Sequence, residues 1–179
     1  MDEDRADPAR YGDSSVKPWF FLAPLLLAAP LVILPITFNH MASEPVGFYW
    51  MTHHPAPFAQ VCLPPETEAQ AIRLGVPPNP GTCPGGHEPL LKQLFVASDR
   101  HPIFFSAAGF TVDGRLLPNT APVARAVNGK LLEHIPYGTY TRGLFAISTH
   151  HPRSYDSRYF GPVDPKSVAR FARPLLVMD

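Results

Sequence analysis

The chain divides into stretches of different hydrophobic pattern. No charged side chain occurs between Pro18 and Ser43, and Trp19 to Thr37 is almost wholly apolar, close to the roughly 20 residues that cross a hydrocarbon core as helix. Pro24, Pro30 and Pro35 interrupt that run; each deletes a helical hydrogen bond, which membrane helices tolerate better than soluble ones. The pattern predicts a tail at residues 1–17, a kinked transmembrane anchor at 18–38 and a folded domain at 39–179. A cleaved leader is disfavoured because Asp2, Glu3, Asp4, Asp7 and Asp13 precede the run, the run is long, and no Ala-x-Ala pattern leads to Ser43. Arg5, Arg10 and Lys17 flank its start, whereas the first basic residue after it is Arg73. That asymmetry places the tail in the cytoplasm and the domain outside.

Beyond Pro89 the apolar residues fall into short or alternating runs at Leu90–Ala97, Ile103–Phe105, Phe110–Val112, Arg115–Leu117 and Leu144–Ser148, with little helical periodicity. Asp113-Gly114 lies between two of them and predicts a type I′ hairpin, whose central residues both need positive φ. The expected fold class is mainly β, an antiparallel β domain behind one N-terminal transmembrane helix. Prolines at 64, 65, 77, 78, 80, 84 and 89 leave room for a helix only at Glu66–Leu74. Asp164-Pro165 marks a short helix before a final strand within Val163–Leu176.

Composition narrows the function classes. With 179 residues there is room for one domain with a real core plus an appended segment. A formal net charge of zero and scattered basic residues leave no electrostatic footprint for nucleic acid. The 23 prolines form no repeat and sit beside aromatic and aliphatic runs, so they read as turns and extended loops rather than a low-complexity tail. Cys62 and Cys83 fall on the exported side, where disulfides persist. A bond between them is the expected reading, against two free buried thiols or half of a metal site with His87. Two cysteines lack the four-ligand spacing of structural zinc. The adjacent histidines at 53/54 and 150/151 would point opposite ways in extended chain, with no acidic partner at ligand spacing. No metal and no other cofactor is expected, and His150 and His151 read as polar loop residues near a site entrance.

The candidate chemistry lies in three places. Ser43 follows the apolar run within Ser-Glu-Pro-Val-Gly; by itself this is a turn-like serine, more often a capping residue than a nucleophile. Lys92 has apolar neighbours on both faces of its predicted strand. Desolvation there would lower its pKa and leave an amine able to take a proton from a serine. The competing reading is a lysine that snorkels to water or blunts a sheet edge. Alternation in Arg153-Ser-Tyr-Asp-Ser-Arg158 would put Ser154, Asp156 and Arg158 on one side of an extended segment. Asp156 and Arg158 would pair to fix the loop, and Ser154 would orient the lysine amine. The plainer alternative is a surface ion-pair turn.

Four blocks occur in order: Ser43-Glu-Pro-Val-Gly-Phe-Tyr49, Gly81-Thr-Cys-Pro-Gly-Gly-His-Glu-Pro-Leu-Leu-Lys92, Val112-Asp-Gly-Arg-Leu-Leu-Pro118, and Pro152-Arg-Ser-Tyr-Asp-Ser-Arg-Tyr-Phe-Gly-Pro162. Together they resemble the TraF-type conjugative transfer peptidases, relatives of bacterial signal peptidases, over residues 19 to 176. The resemblance implies a signal-peptidase-like β domain, Ser43 as nucleophile, Lys92 as general base, and Ser154, Asp156 and Arg158 in support. It implies an oxyanion hole that includes the Ser43 N–H, a periplasmic catalytic domain on an inner-membrane anchor, and an exported precursor as substrate. That precursor would be the pilin subunit of a conjugative or type IV secretion apparatus. The chain departs from the pattern at Glu44, where an apolar residue is usual, at Gln93, at Ser98-Asp99, and at Met41, which offers no hydroxyl for the oxyanion.

Overall fold

The structure is a computed structural model that describes residues 34–178. Its strands are β1 (Ile36–Asn39), β2 (Val46–Thr52), β3 (Phe58–Val61), β4 (Leu90–Ala97), β5 (Ile103–Ser106), β6 (Gly109–Val112), β7 (Arg115–Leu116), β8 (Gly138–Tyr140), β9 (Gly143–Ile147) and β10 (Val168–Met178). Two short helices join them, α1 (Pro65–Arg73) and α2 (Ser157–Phe160), and a 3-10 turn spans Pro165–Ser167. The strands form a six-stranded sheet in the order β1-β2-β10-β3-β4-β9 and a four-stranded sheet in the order β7-β6-β5-β8. Every strand pair is antiparallel. The mainly β expectation holds.

The expected anchor lies outside the described residues except for its last few positions, where the structure corrects it. Ile36–Phe38 are strand, paired residue by residue with Trp50 to Phe48. The β-branched and aromatic residues after Pro35 suit a pleated ladder, and a partner strand only a short turn away supplies it. Among the described residues no helix is long and apolar enough to cross a membrane.

Local chemistry explains most elements. Asp113 and Gly114 both have positive φ, 48° and 75°, as the expected hairpin between β6 and β7 requires. Helix α1 starts at Pro65, carries Glu66 and Glu68 in its first turn and Arg73 in its last, an arrangement matched to the helix dipole. Asp164 caps the 3-10 turn through the Lys166 N–H at 2.9 Å, just before β10. Gly47 sits where an added Cβ would lie 2.2 Å from the Leu176 carbonyl oxygen, so only glycine lets β2 and β10 approach there.

One core joins the two sheets: Ile103, Phe105 and Phe110 from the four-stranded sheet pack with Ala97, Phe145 and Ile147 from β4 and β9. A second cluster, Ala71, Leu74, Ala126, Leu132, Tyr155 and Tyr159, packs α1 against the segment that leads into α2.

Candidate active site

Ser43 occupies the turn between β1 and β2, and side chains tie that turn down at several points. Asn39, buried at the end of β1, donates through Nδ2 to the carbonyls of Met41, Glu44 and Pro45 at 3.0, 3.2 and 3.0 Å. Its Oδ1 accepts from the Met41 N–H at 3.2 Å. The Tyr49 hydroxyl donates to the Pro45 carbonyl at 2.9 Å, and the Ser148 hydroxyl donates to the Ser43 carbonyl. Buried polar groups satisfied in this way hold the backbone of the serine still.

Lys92 lies in β4 opposite Ala59 of β3 and is only 1% exposed. Its Nζ stands 2.8 Å from Ser43 Oγ. Burial pulls the lysine pKa below its ordinary value, partly offset by the carboxylates of Glu44 and Asp156, while Arg158 adds to the lowering. This removes the snorkelling alternative, since the amine ends on a serine rather than in water. A desolvated amine in contact with a hydroxyl is equipped to take the hydroxyl proton.

Asp156 and Arg158 are both 0% exposed, so the surface ion-pair alternative fails. Arg158 Nε and Nη2 each donate to Asp156 at 2.9 Å, and the second carboxylate oxygen also accepts from the Ser148 N–H at 3.0 Å. The guanidinium further donates to the carbonyls of Asn119, Ala121, Pro152 and Ser154. The expected extended geometry is corrected, because Asp156 N-caps α2 and Arg158 lies within that helix. Convergence comes from the cap, not from strand alternation. Ser154 is also corrected: its buried hydroxyl has no hydrogen-bond partner among the described residues and does not orient the lysine amine, although both residues line one cavity.

That cavity measures about 200 Å3 and is mainly apolar, with Leu74, Val76, Leu90, Val123, Leu132 and Tyr155 around Ser43, Lys92 and Ser154. Arg125, His151 and Arg153 contribute its polar edge; His150 is not part of it. A smaller cavity of about 30 Å3 adjoins the other side of Ser43, between Asn39, Tyr49 and Asn79. Burial pushes the Tyr155 hydroxyl up to about 12.

Cys62 and Cys83 form the expected disulfide, with Cα atoms 5.4 Å apart. It closes the excursion that carries α1 and the cavity residues Leu74 to Pro77. The disulfide uses both cysteines of the alternative half-site with His87, and His87 instead meets Glu68 at 3.0 Å; no group of three or more candidate metal-ligand side chains occurs among the described residues. Sequence reasoning missed Asn39 and Ser148. Asn39 carried a usable signal, an Asx residue beside a turn, whereas Ser148 reaches Ser43 across 105 residues.

A "Plasmid transfer protein TraF" of Escherichia coli is 30% identical over 162 residues, covering 86% of this chain and 90% of that protein. The chain belongs to the TraF family of conjugal transfer proteins. Within the TraF family it is also similar to the "Probable conjugal transfer protein TraF" of Sinorhizobium fredii, 28% identical over 77% of the chain and 75% of the relative. The "Conjugal transfer protein TraF" of Agrobacterium fabrum is 25% identical over 79% and 82%. No family model matches the chain, and no solved structure matches it.

Proposed function

We propose that this TraF-family protein is a membrane-anchored serine endopeptidase that processes an exported precursor, with Ser43 as nucleophile and Lys92 as general base. The observation that carries this reading is the 2.8 Å contact between Ser43 Oγ and the Nζ of a lysine whose burial favours the neutral amine. As Oγ attacks the scissile carbonyl, Nζ takes its proton and the Ser43 N–H donates to the developing oxyanion. The ammonium then gives that proton to the leaving amine, and an acyl-enzyme remains. A water, deprotonated by Lys92, releases a linear product; the substrate's own N-terminal amine, deprotonated in the same way, releases a circular one. The apolar cavity beside Ser43 suits an apolar side chain next to the scissile bond.

The precursor is read as the pilin subunit of a conjugative or type IV secretion apparatus, and the protein as a single-pass inner-membrane protein with its domain in the periplasm. A disulfide fits an oxidising compartment. The site-bearing edge of the six-stranded sheet exposes Phe38, Phe48, Trp50, Leu176 and Met178, and Phe38 and Phe48 meet edge-to-face with ring centroids 5.0 Å apart. An apolar row directly after the expected anchor suits contact with a lipid surface.

Intact-mass spectrometry of a co-expressed pilin precursor, with wild-type protein, Ser43→Ala and Lys92→Met, tests the reading. Processing lost in both folded variants is expected, and the product mass separates the two outcomes, a circular peptide being one water lighter than its linear form. Unchanged processing in both would leave a non-catalytic assembly factor of the transfer apparatus. Cleavage of a broad panel of leader peptides would identify a general type I signal peptidase instead.

A further inference from the structure

The larger cavity carries charge of one sign. The chain as a whole is balanced, with 15 basic and 15 acidic residues, yet Lys92, Arg125 and Arg153 line the cavity and no aspartate or glutamate does. Both arginines are exposed. Arg125 donates through Nη1 to the Gly129 carbonyl at 2.8 Å, a contact that places the guanidinium without neutralising it. Arg153 is held by its backbone, its N–H donating to His151 Nδ1 at 3.1 Å, and its guanidinium has no partner among the described residues. No ion pair reaches either arginine among the described residues; Asp156, three positions from Arg153, is buried on Arg158. Inside the rim the walls are apolar, but two of the lining residues, Ser154 and Tyr155, have buried hydroxyls without hydrogen-bond partners among the described residues. Such hydroxyls cost free energy until something completes them. An extended peptide, with an N–H and a C=O at almost every residue, is able to do so.

The geometry points to a substrate segment of defined chemistry: an extended peptide that places an apolar side chain in the cavity beside Ser43 and a carboxylate one or two residues away, received by Arg125 and Arg153. The inference rests on the peptidase reading given above and deepens it. Extended chain rises about 3.3 Å per residue, so a step of one or two residues carries a carboxylate from the interior of a cavity of about 200 Å3 to its rim. Arginine suits this task, because its planar fork of donors matches a carboxylate and its charge persists at any working pH. Two unpaired arginines at an apolar mouth without an acid also draw anions towards it. Because the rim is exposed, the contact discriminates modestly and weakens with salt. The apolar wall and the basic rim thus read two neighbouring features of one segment, and Arg125 and Arg153 act as specificity-determining residues.

Peptide-library profiling tests this with the full-length protein in detergent. A mixed-sequence library, supplied with free and with amidated C-termini, is incubated with wild type, and the cleaved bonds are read by mass spectrometry. Asp and Glu within about three residues of the scissile bond are expected to be favoured about tenfold over Asn and Gln. The double variant Arg125→Gln/Arg153→Gln should bring that ratio to about one. Arg125→Glu/Arg153→Glu should turn it towards Lys and Arg, a gain that a misfolded protein cannot give. A preference that survives amidation assigns the carboxylate to a side chain, and one that vanishes assigns it to the chain end. No acidic preference in wild type, or the same preference in both double variants, overturns the proposal. If wild type cleaves nothing, the same library is captured on the immobilised protein. Retention of acid-bearing peptides that is lost in the arginine variants then upholds the carboxylate subsite and sinks the peptidase reading. Retention without acidic preference, or no retention, overturns the proposal.

Discussion

Asp156–Arg158 and Glu44–Lys92 are two buried sets of opposite charge, the first in contact at 2.9 Å and the second acting at longer range, and Lys92 feels all of the other three groups. In the first pair every polar atom is engaged: both carboxylate oxygens accept two hydrogen bonds each, and the guanidinium also holds four backbone carbonyls. In the second pair Nζ meets only Ser43 Oγ among the described residues, and the Glu44 carboxyl draws only on the Ser148 and Gln93 side chains. Completed hydrogen bonding offsets the desolvation of the first pair and makes it a structural clamp. Incomplete hydrogen bonding leaves the second pair with displaced proton affinities, which is what proton transfer requires. The same ingredients thus give a structural clamp or, on the proposed reading, a reactive site, according to how many partners the fold supplies.

The sharpest way to break this comparison is to remove one cation from each pair. Arg158→Met should lose about 3–5 kcal/mol of unfolding free energy, because a buried carboxylate and the carbonyls it shares are left unpaired. Lys92→Met should stay within about 1 kcal/mol of wild type at pH 6, where Glu44 is free to take a proton, and should abolish processing. Equal losses in chemical denaturation would erase the distinction.

Stability as a function of pH comes next. Burial pushes Glu44 up to about 7 in the folded state from its ordinary value of 4.5, so the native state keeps a proton that the unfolded chain has lost. Stability should therefore fall as pH rises from about 4.5 to about 7, by about 3 kcal/mol at most. Lys92 acts in the opposite sense, its folded pKa lying below 10.5: the unfolded chain binds the extra proton, and stability is regained as pH rises towards 10.5. Glu44→Leu should flatten the first slope, and denaturation midpoints across pH would detect this.

The disulfide supplies a covalent yardstick. Replacing Cys62 and Cys83 with serine opens a loop of 21 residues and should lower stability by about 3 kcal/mol in the chain-entropy picture, without touching either charge pair. A smaller loss is expected of Asn39→Ala, about 1–2 kcal/mol for the lost contacts to three carbonyls. Its processing rate should fall by more than its stability, since the lost bonds position Ser43.

Much of the fold was legible. Where strands have one buried and one wet face, or end at an Asp-Gly turn, as in β6 and β7, local chemistry located them to within a residue. β2 escaped because Phe48 and Trp50 on its exposed face are as apolar as Tyr49 and Met51 on its buried one, so its period of 2 has no contrast to show. β1 escaped because its apolar residues continue the run before it.

Ser43, Lys92, Asp156 and Arg158 could be named as a set through the ordered blocks that resemble a known family, and the Asp-Gly turn, the proline-limited helix and the expectation of a disulfide came from local backbone preference and cysteine count, since each depends on nearby residues or on a block that survives as a word. Tertiary structure alone decided that Lys92 is buried against Ser43, that Arg158 arrives on a helix capped by Asp156, that the Ser154 hydroxyl finds no partner among the described residues, and that Ser148 reaches Ser43 and Glu44 turns inward. The reason is physical: desolvation and proton affinity depend on which distant segments close around a side chain, and no local pattern encodes that closure.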